Sequence, residues 1–315
     1  MTPIDRRTFV KESLLGSAGA ALALGSNGPA RAAETPPAPP ASPDRLPRGQ
    51  IGKLEVSRLL LGGNLLTHYT HSRDLQYVYN LTARYNTKEK IFETLALAEA
   101  NGINTLAIHN PPGIPEMLKE YREKRGGKIQ WIVCPVAPVE EDMAAYGRQV
   151  QELLDFGANA IYLWGVRADE LVGQGRIDLV AKAVDLVRSK GVPSGVGAHA
   201  LDVIAACEKN RVAADFYIKT LHHHRYPSAK LGHDSVWCTN PEETIELMKG
   251  VQKPWISFKV MAAGAIPPRD AFQYAFAGGA DFSLAGMFDF EIEEDVRIAR
   301  EVLSGLRERP RPWRG

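Results

Sequence analysis

The chain has 315 residues, with 38 basic and 37 acidic side chains. That balance, with no basic cluster interleaved with aromatics, excludes a nucleic-acid-binding surface. Three cysteines, Cys134, Cys207 and Cys238, are odd in number and lack metal-type spacing, so buried free thiols are expected rather than a disulfide framework.

The chain opens on a targeting pattern. Asp5-Arg6-Arg7-Thr8-Phe9-Val10-Lys11 carries paired arginines ahead of a mildly apolar run, Leu14 to Leu24, and Ala30-Arg31-Ala32 offers a small-x-small cleavage site. Residues 1–33 therefore read as a twin-arginine signal peptide. The apolar run is too short for a stable membrane anchor. Residues 34–49 read as a Pro-rich linker, too poor in apolar side chains to fold. The expectation is a periplasmic or secreted protein, carried folded by the twin-arginine translocase. Proteins exported in that way often fold around a cofactor first.

From Val56 onward short apolar runs alternate with helical periods, the pattern of βαβ units and a parallel sheet. Strands are predicted near 59–64, 105–110, 131–136, 160–165, 193–199, 215–221, 255–261 and 281–287, with helices between them. Thr87–Asn101 is one such helix, with Thr87 as cap and Gly102 as stop. The spacing predicts a single (β/α)8 TIM barrel over 50–308 and a flexible tail over 309–315. No Gly-x-Gly-x-x-Gly follows the first strand, which argues against an open doubly wound sheet. Two connections, 65–86 and 222–240, are long enough to be binding loops.

Histidine placement is the most informative signal. All eight fall at strand C-terminal ends or in the following loops: His68, His71, His109, His199, His222, His223, His224 and His233. That is the face on which barrels build active sites. A mid-strand lysine is expected to face the barrel interior, which places Lys219 with Tyr217, and Lys259 with Ser257 and Met261. Gly195, Gly197 and His199 share an inner face, His109 is in phase with Ala107, Asn64 ends the first strand and Asp289 follows the last. Each residue alone has an ordinary structural explanation; a lone strand-end histidine is more often hydrogen-bonded than functional. Several titratable groups at one rim need a partner to offset desolvation. The expected catalytic set is Lys219, Lys259, His109 and His199. The expected substrate-binding set is Asn64, His68, Tyr69, Trp164, His222, His224, Trp237 and Asp289. Aromatics at the mouth suit stacking on sugar rings and equally suit lid packing.

Leu54-Glu55-Val56-Ser57-Arg58-Leu59, Ala98-Glu99-Ala100-Asn101-Gly102-Ile103-Asn104-Thr105, Gly191 to Gly197, and Ala285-Gly286-Met287 with Glu293-Glu294-Asp295-Val296 resemble the aldo/keto reductase superfamily across most of the mature chain. The resemblance implies a barrel with a nicotinamide groove. The Asp/Tyr/Lys/His tetrad does not carry over: Ala107 stands at the Asp position, Pro112 near the Tyr, Cys134-Pro135 at the Lys and Trp164 at the His. Asp215-Phe216-Tyr217-Ile218-Lys219-Thr220 and Phe258-Lys259-Val260 are similar to deoxyribose-phosphate aldolases, which implies a Schiff-base lysine at Lys219 tuned by Lys259.

Four functions follow. The first is a metal-assisted lyase, isomerase or hydrolase on a small oxygenated substrate of sugar or keto-sugar type. In it His109, His199 and His223 hold zinc or manganese, and the two lysines serve as acid/base or oxyanion groups. The second is an NAD(P)-dependent oxidoreductase with a rebuilt acid. The third is a Lys219 aldolase, and the fourth a binding protein without turnover.

Overall fold

The computed structural model describes residues 45–72, 75–229 and 237–315. The signal peptide, the linker as far as residue 44, and His233 lie outside the described residues. The first two strands, β1 (Arg48–Ile51) and β2 (Leu54–Ser57), form an antiparallel hairpin. Eight parallel strands then close into a barrel: β3 (Leu59–Gly62), β4 (Thr105–His109), β5 (Gln130–Cys134), β6 (Ala160–Leu163), β7 (Ser194–Ala198), β8 (Phe216–Thr220), β9 (Trp255–Phe258) and β10 (Phe282–Ala285), with β10 pairing back onto β3. All eight barrel strands sit where the apolar runs predicted them, each shorter by a residue or more because the ladder stops where the loops begin.

Ten helices lie among the described residues: α1 (Gln76–Tyr85), α2 (Lys88–Ala100), α3 (Ile114–Arg125), α4 (Ala144–Phe156), α5 (Gly165–Gly173), α6 (Ile177–Ser189), α7 (Leu201–Lys209), α8 (Pro241–Gly250), α9 (Pro268–Ala277) and α10 (Ile292–Gly305). Thr87 caps α2 by accepting from the Lys90 amide, as expected. The long first connection is not a bare loop, since α1 occupies its second half. None of these helices is long and apolar enough to cross a membrane.

Two concentric layers make the core. Leu60, Ala107, Ile132, Ala160, Phe216, Ile218, Ile256, Phe282 and Leu284 fill the barrel interior. Leu59, Leu61, Leu106, Val133, Ile161, Val196 and Tyr217 face the helices. Gly195 is required by this packing, because a Cβ there would meet the Phe216 ring at 2.5 Å. With Phe216 and Ile218 pointing in, the period-two rule turns Tyr217 and Lys219 outward, which reverses the predicted phase of β8. Ser257 is likewise outward, donating to the Phe282 carbonyl. The three cysteines are buried free thiols.

The barrel floor corrects both predicted termini. Leu46 is buried and Arg48 and Gly49 belong to β1, so the linker does not extend to residue 49. The tail, predicted flexible, is docked. Arg309 donates to the Gly279 and Ala280 carbonyls, Arg311 to those of Val251 and Lys253, and the Arg314 amide to Asp281. Trp313 lies between the Arg58 and Arg309 guanidiniums, 4.2 and 3.2 Å from the ring centre. Buried Asp281 offsets part of this charge, and burial pushes the Arg58 and Arg309 guanidiniums down to about 10. The tail is held because its arginines have carbonyls to bond and a ring to stack on.

Candidate active site

The mouth of the barrel holds a cavity of about 210 Å³, walled by Asn64, Tyr69, His71, His109, Tyr162, Trp164, His199 and Lys259 over a floor of Ala107, Ile218 and Leu284. Small residues on adjacent strands create the space. Gly62 ends β3, Gly63 follows it, and Gly197 ends the inner row of β7. A side chain at Gly197 would strike the Gly165 backbone at 2.8 Å.

His199 follows β7 and is the best-organised group in the cavity. Its Nδ1 donates to Asp169 Oδ2 at 2.8 Å, while the backbone amides of His199 and Ala200 also bond the Asp169 carboxylate at 3.1 and 3.0 Å. Asp169, on α5, thus holds the turn that leads into α7 and fixes the imidazole orientation at once. The bond to Nδ1 leaves Nε2 as the nitrogen that meets the cavity contents. Asp169 was not foreseen. It sits in a charged helical stretch, Arg167-Ala168-Asp169-Glu170, that reads from sequence as a solvated face.

His109 ends β4, as predicted, and packs edge-on to Tyr69 with ring centres 5.9 Å apart. Burial pushes its imidazolium below the ordinary histidine range, so the ring is neutral at pH 7. Lys259 reaches the cavity by a route the strand period did not give. β9 stops at Phe258, and Lys259 takes a left-handed backbone (φ 56°) that turns its side chain into the mouth. Its Nζ lies 4.7 Å from the Trp237 ring centre. Ala262 and Ala263 are also left-handed, followed by Gly264 at φ 83°. Such conformations cost about 1–3 kcal/mol for each non-glycine residue, and they concentrate at functional loops.

Other expected residues go elsewhere. Lys219 is fully buried on the helix side of β8, where its amine donates to the Thr220 carbonyl and hydroxyl at 2.9 Å and approaches Cys238 Sγ at 3.9 Å. It does not line the mouth, so the predicted pair of inward lysines does not exist. A buried ammonium is tolerated in the helix layer because the strand end supplies oxygens to bond. Burial still pulls its pKa down.

The histidine run is structural as well. His222 Nδ1 donates to the His223 carbonyl, and its Nε2 accepts the amides of Trp237 and Cys238, both at 3.1 Å. His223 Nε2 donates to Asp270 on α9 while its Nδ1 accepts the Arg225 amide, and the ring packs edge-on to Tyr274. His224 donates to the Cys238 carbonyl at 2.7 Å. The expected metal set of His109, His199 and His223 is therefore not assembled, and no three His, Cys, Asp or Glu side chains converge on a metal position among the described residues. His68, left-handed at φ 63°, donates to the Asn86 carbonyl and lies outside the cavity wall. Asp289 points away from the mouth, accepting from Tyr85 Oη at 2.6 Å and Lys90 Nζ at 3.0 Å. Asn64, Tyr69, Trp164 and Trp237 do stand at the mouth or beside it.

A second cavity of about 350 Å³ adjoins the first across Phe258 and Lys259. It runs beneath the loops after β9 and β10, with apolar walls from Leu65, Val260, Met261, Ala265, Ile266 and Phe288, and with Glu291 and Asp295 in its lining.

No family model matches the chain, and no curated protein matches it. Two solved structures of a Pseudomonas aeruginosa protein assigned as an aldo-keto reductase superpose with TM-scores of 0.55 and 0.56. Each is 18% identical, and the match covers 82% of this chain and 97% of that one. The structure of a protein named Gox0644 matches with a TM-score of 0.52 at 10% identity, over 85% and 98% of the two chains. The chain has an aldo-keto reductase-like (β/α)8 barrel, and at these identities the likeness is one of fold.

Proposed function

We propose that this protein is an exported enzyme that removes and returns a proton on a small oxygenated substrate of sugar or keto-sugar type, as a lyase or isomerase. The observation that carries the reading is the Asp169–His199 pair on a cavity that also receives Lys259. His199 Nε2 acts as base and takes a proton from the carbon beside a substrate carbonyl. The electron pair moves onto the carbonyl oxygen, where the Lys259 ammonium offsets the developing charge. Where the attacked carbon bears a hydroxyl, the intermediate is an enediolate: the hydroxyl proton passes to the former carbonyl oxygen, the imidazolium returns its proton to the former carbonyl carbon, and the carbonyl re-forms at the attacked carbon, which isomerises the substrate. Where the next carbon bears a β-substituent, the enolate expels it as the carbonyl re-forms and the imidazolium protonates the leaving group, which makes the step an elimination. Asp169 holds the imidazole in the tautomer that leaves Nε2 basic and stabilises the imidazolium formed. Neutral His109 and Asn64 supply hydrogen bonds to hydroxyl groups.

Zinc or manganese does not fit the residues present, since only two of the three expected imidazoles share the cavity; no step is routed through a metal. Elemental analysis of protein purified without affinity histidines measures this directly. Nicotinamide reduction lacks the family's acid, because Ala107, Cys134 and Trp164 occupy the tetrad positions. The twin-arginine pattern supports a periplasmic or secreted location for this chemistry. The test is solvent-proton exchange into a panel of keto-sugars and uronic acids in deuterated water, followed by NMR. Exchange with wild type and none with His199→Asn supports the reading. Exchange unaffected by that variant sinks it.

A further inference from the structure

The mouth cavity takes a polar headgroup, but it is the smaller of two connected spaces. The adjoining cavity is apolar along its walls and polar at its ends. Lys259 stands where the two meet. Asp295, only 4% exposed, faces this cavity from α10, and no hydrogen-bond donor among the described residues reaches its carboxylate. Glu291, one helical turn earlier, lines the same space and accepts the Phe288 amide. A buried carboxyl without a partner is costly, and a folding domain gains nothing from keeping it. Burial, with Glu291 and Glu294 nearby, pushes this carboxyl up to about 7. It is therefore a group poised to exchange hydrogen bonds with something that enters the cavity.

Size and chemistry together define the entrant. A dry cavity of ~150 Å³ holds a benzene ring, so about 350 Å³ holds a substituted ring or a bicycle. The walls offer Val260, Met261, Ile266 and Phe288 for its faces. The far carboxyls call for a hydrogen-bond donor, and their charge disfavours a phosphate there. Resting on the proposed chemistry for the mouth, we propose that the adjoining cavity is an aglycone site: the substrate is a glycoside-like molecule whose oxygenated ring enters the mouth and whose aromatic moiety, bearing a phenolic hydroxyl, seats against Asp295.

Calorimetric titration with methyl β-glucoside, phenyl β-glucoside, 4-hydroxyphenyl β-glucoside and hydroquinone tests this on the intact protein. The phenyl compound should bind roughly 10- to 100-fold tighter than the methyl one, from burial of the ring. The hydroxyl should add roughly five-fold more. Hydroquinone should compete with the phenyl compound. Asp295→Leu should abolish the five-fold gain while keeping the gain from the ring, which also shows that the variant is folded. Equal affinity for methyl and phenyl compounds, together with no hydroquinone binding, overturns the aglycone site. The proton-transfer reading then still stands or falls on His199→Asn. Tight aryl binding that Asp295→Leu leaves unchanged overturns the assignment of the donor contact. Displacement of the phenyl compound by NADH at micromolar concentration overturns the proposal in favour of a nicotinamide in the same space.

Discussion

Two parts of the rim use the same residue types to opposite ends. After β8, Lys219, His222 and His223 are buried and His224 is exposed, yet all four are tied down by bonds to carbonyls, amides, Asp270 or one another. Across the mouth, His109, His199 and Lys259 line open space, and the one carboxylate in contact with His199 fixes its orientation rather than filling its valence at Nε2. A count of histidines and lysines cannot separate the two regions. Their hydrogen-bond partners can. A ring whose two nitrogens are both satisfied by the backbone holds a loop in place, and one with a free nitrogen facing a cavity can do chemistry.

The comparison breaks most sharply at His199. His199→Asn should lower kcat by about 10³-fold with little change in thermal stability, within the range for loss of a general base. Asp169→Asn should lower it by about 10²-fold, because the imidazole loses the carboxylate that orients it. Stopped assays on purified variants, with circular dichroism melts alongside, check both. Loss of the fold in Asp169→Asn with normal specific activity in the folded fraction would assign that residue to holding the turn before α7 alone.

His222 should show the reverse pattern, a stability effect with kcat conserved. Burial pushes its pKa down to about 4, and its Nε2 must be unprotonated to accept two amides. The folded value lies below the unfolded value of about 6.5, so the unfolded chain binds more protons between the two. The stabilisation is complete above pH 6.5 and is lost as pH falls toward 4. A shift of that size corresponds to on the order of 3 kcal/mol. Urea melts at pH 7.5 and 4.5 should show wild type losing stability in that window and His222→Gln losing much less. Equal pH slopes would show that the latch is not where the proton enters.

Much of this was legible in the sequence. Eight apolar runs at barrel spacing locate the strands, and the histidine pattern points to the mouth, where His109, His199, Tyr69 and Trp164 line the cavity. What failed was side-chain direction. A mid-strand lysine is expected to face the barrel interior, yet Lys219 faces the helix layer. Phe216 and Ile218 compete for the interior and win it, and the Thr220 oxygens make the outward position tolerable. Lys259 does face the mouth, but a left-handed turn and not strand phase brings it in. Asp169, which bonds His199, and Glu291 and Asp295, which line the adjoining cavity, leave no sequence signal because a carboxylate on a helix looks the same whether it faces solvent or a cavity.

The two lysines give the last and smallest test, and it separates the regions directly. Lys259→Met should lower kcat by about 10²-fold, the scale for removing one charged group from a developing oxyanion. Lys219→Met should leave kcat within about two-fold, because its amine bonds the strand end and lies outside the mouth. Borohydride reduction in the presence of a reacting keto-sugar, followed by peptide mass mapping, should place no adduct on Lys219. Labelling of Lys219 with loss of activity would mean that β8 turns during turnover and would restore the Schiff-base reading. Labelling confined to Lys259 would convert its role from charge stabilisation to covalent attachment while leaving the contrast between the two sides of the rim intact.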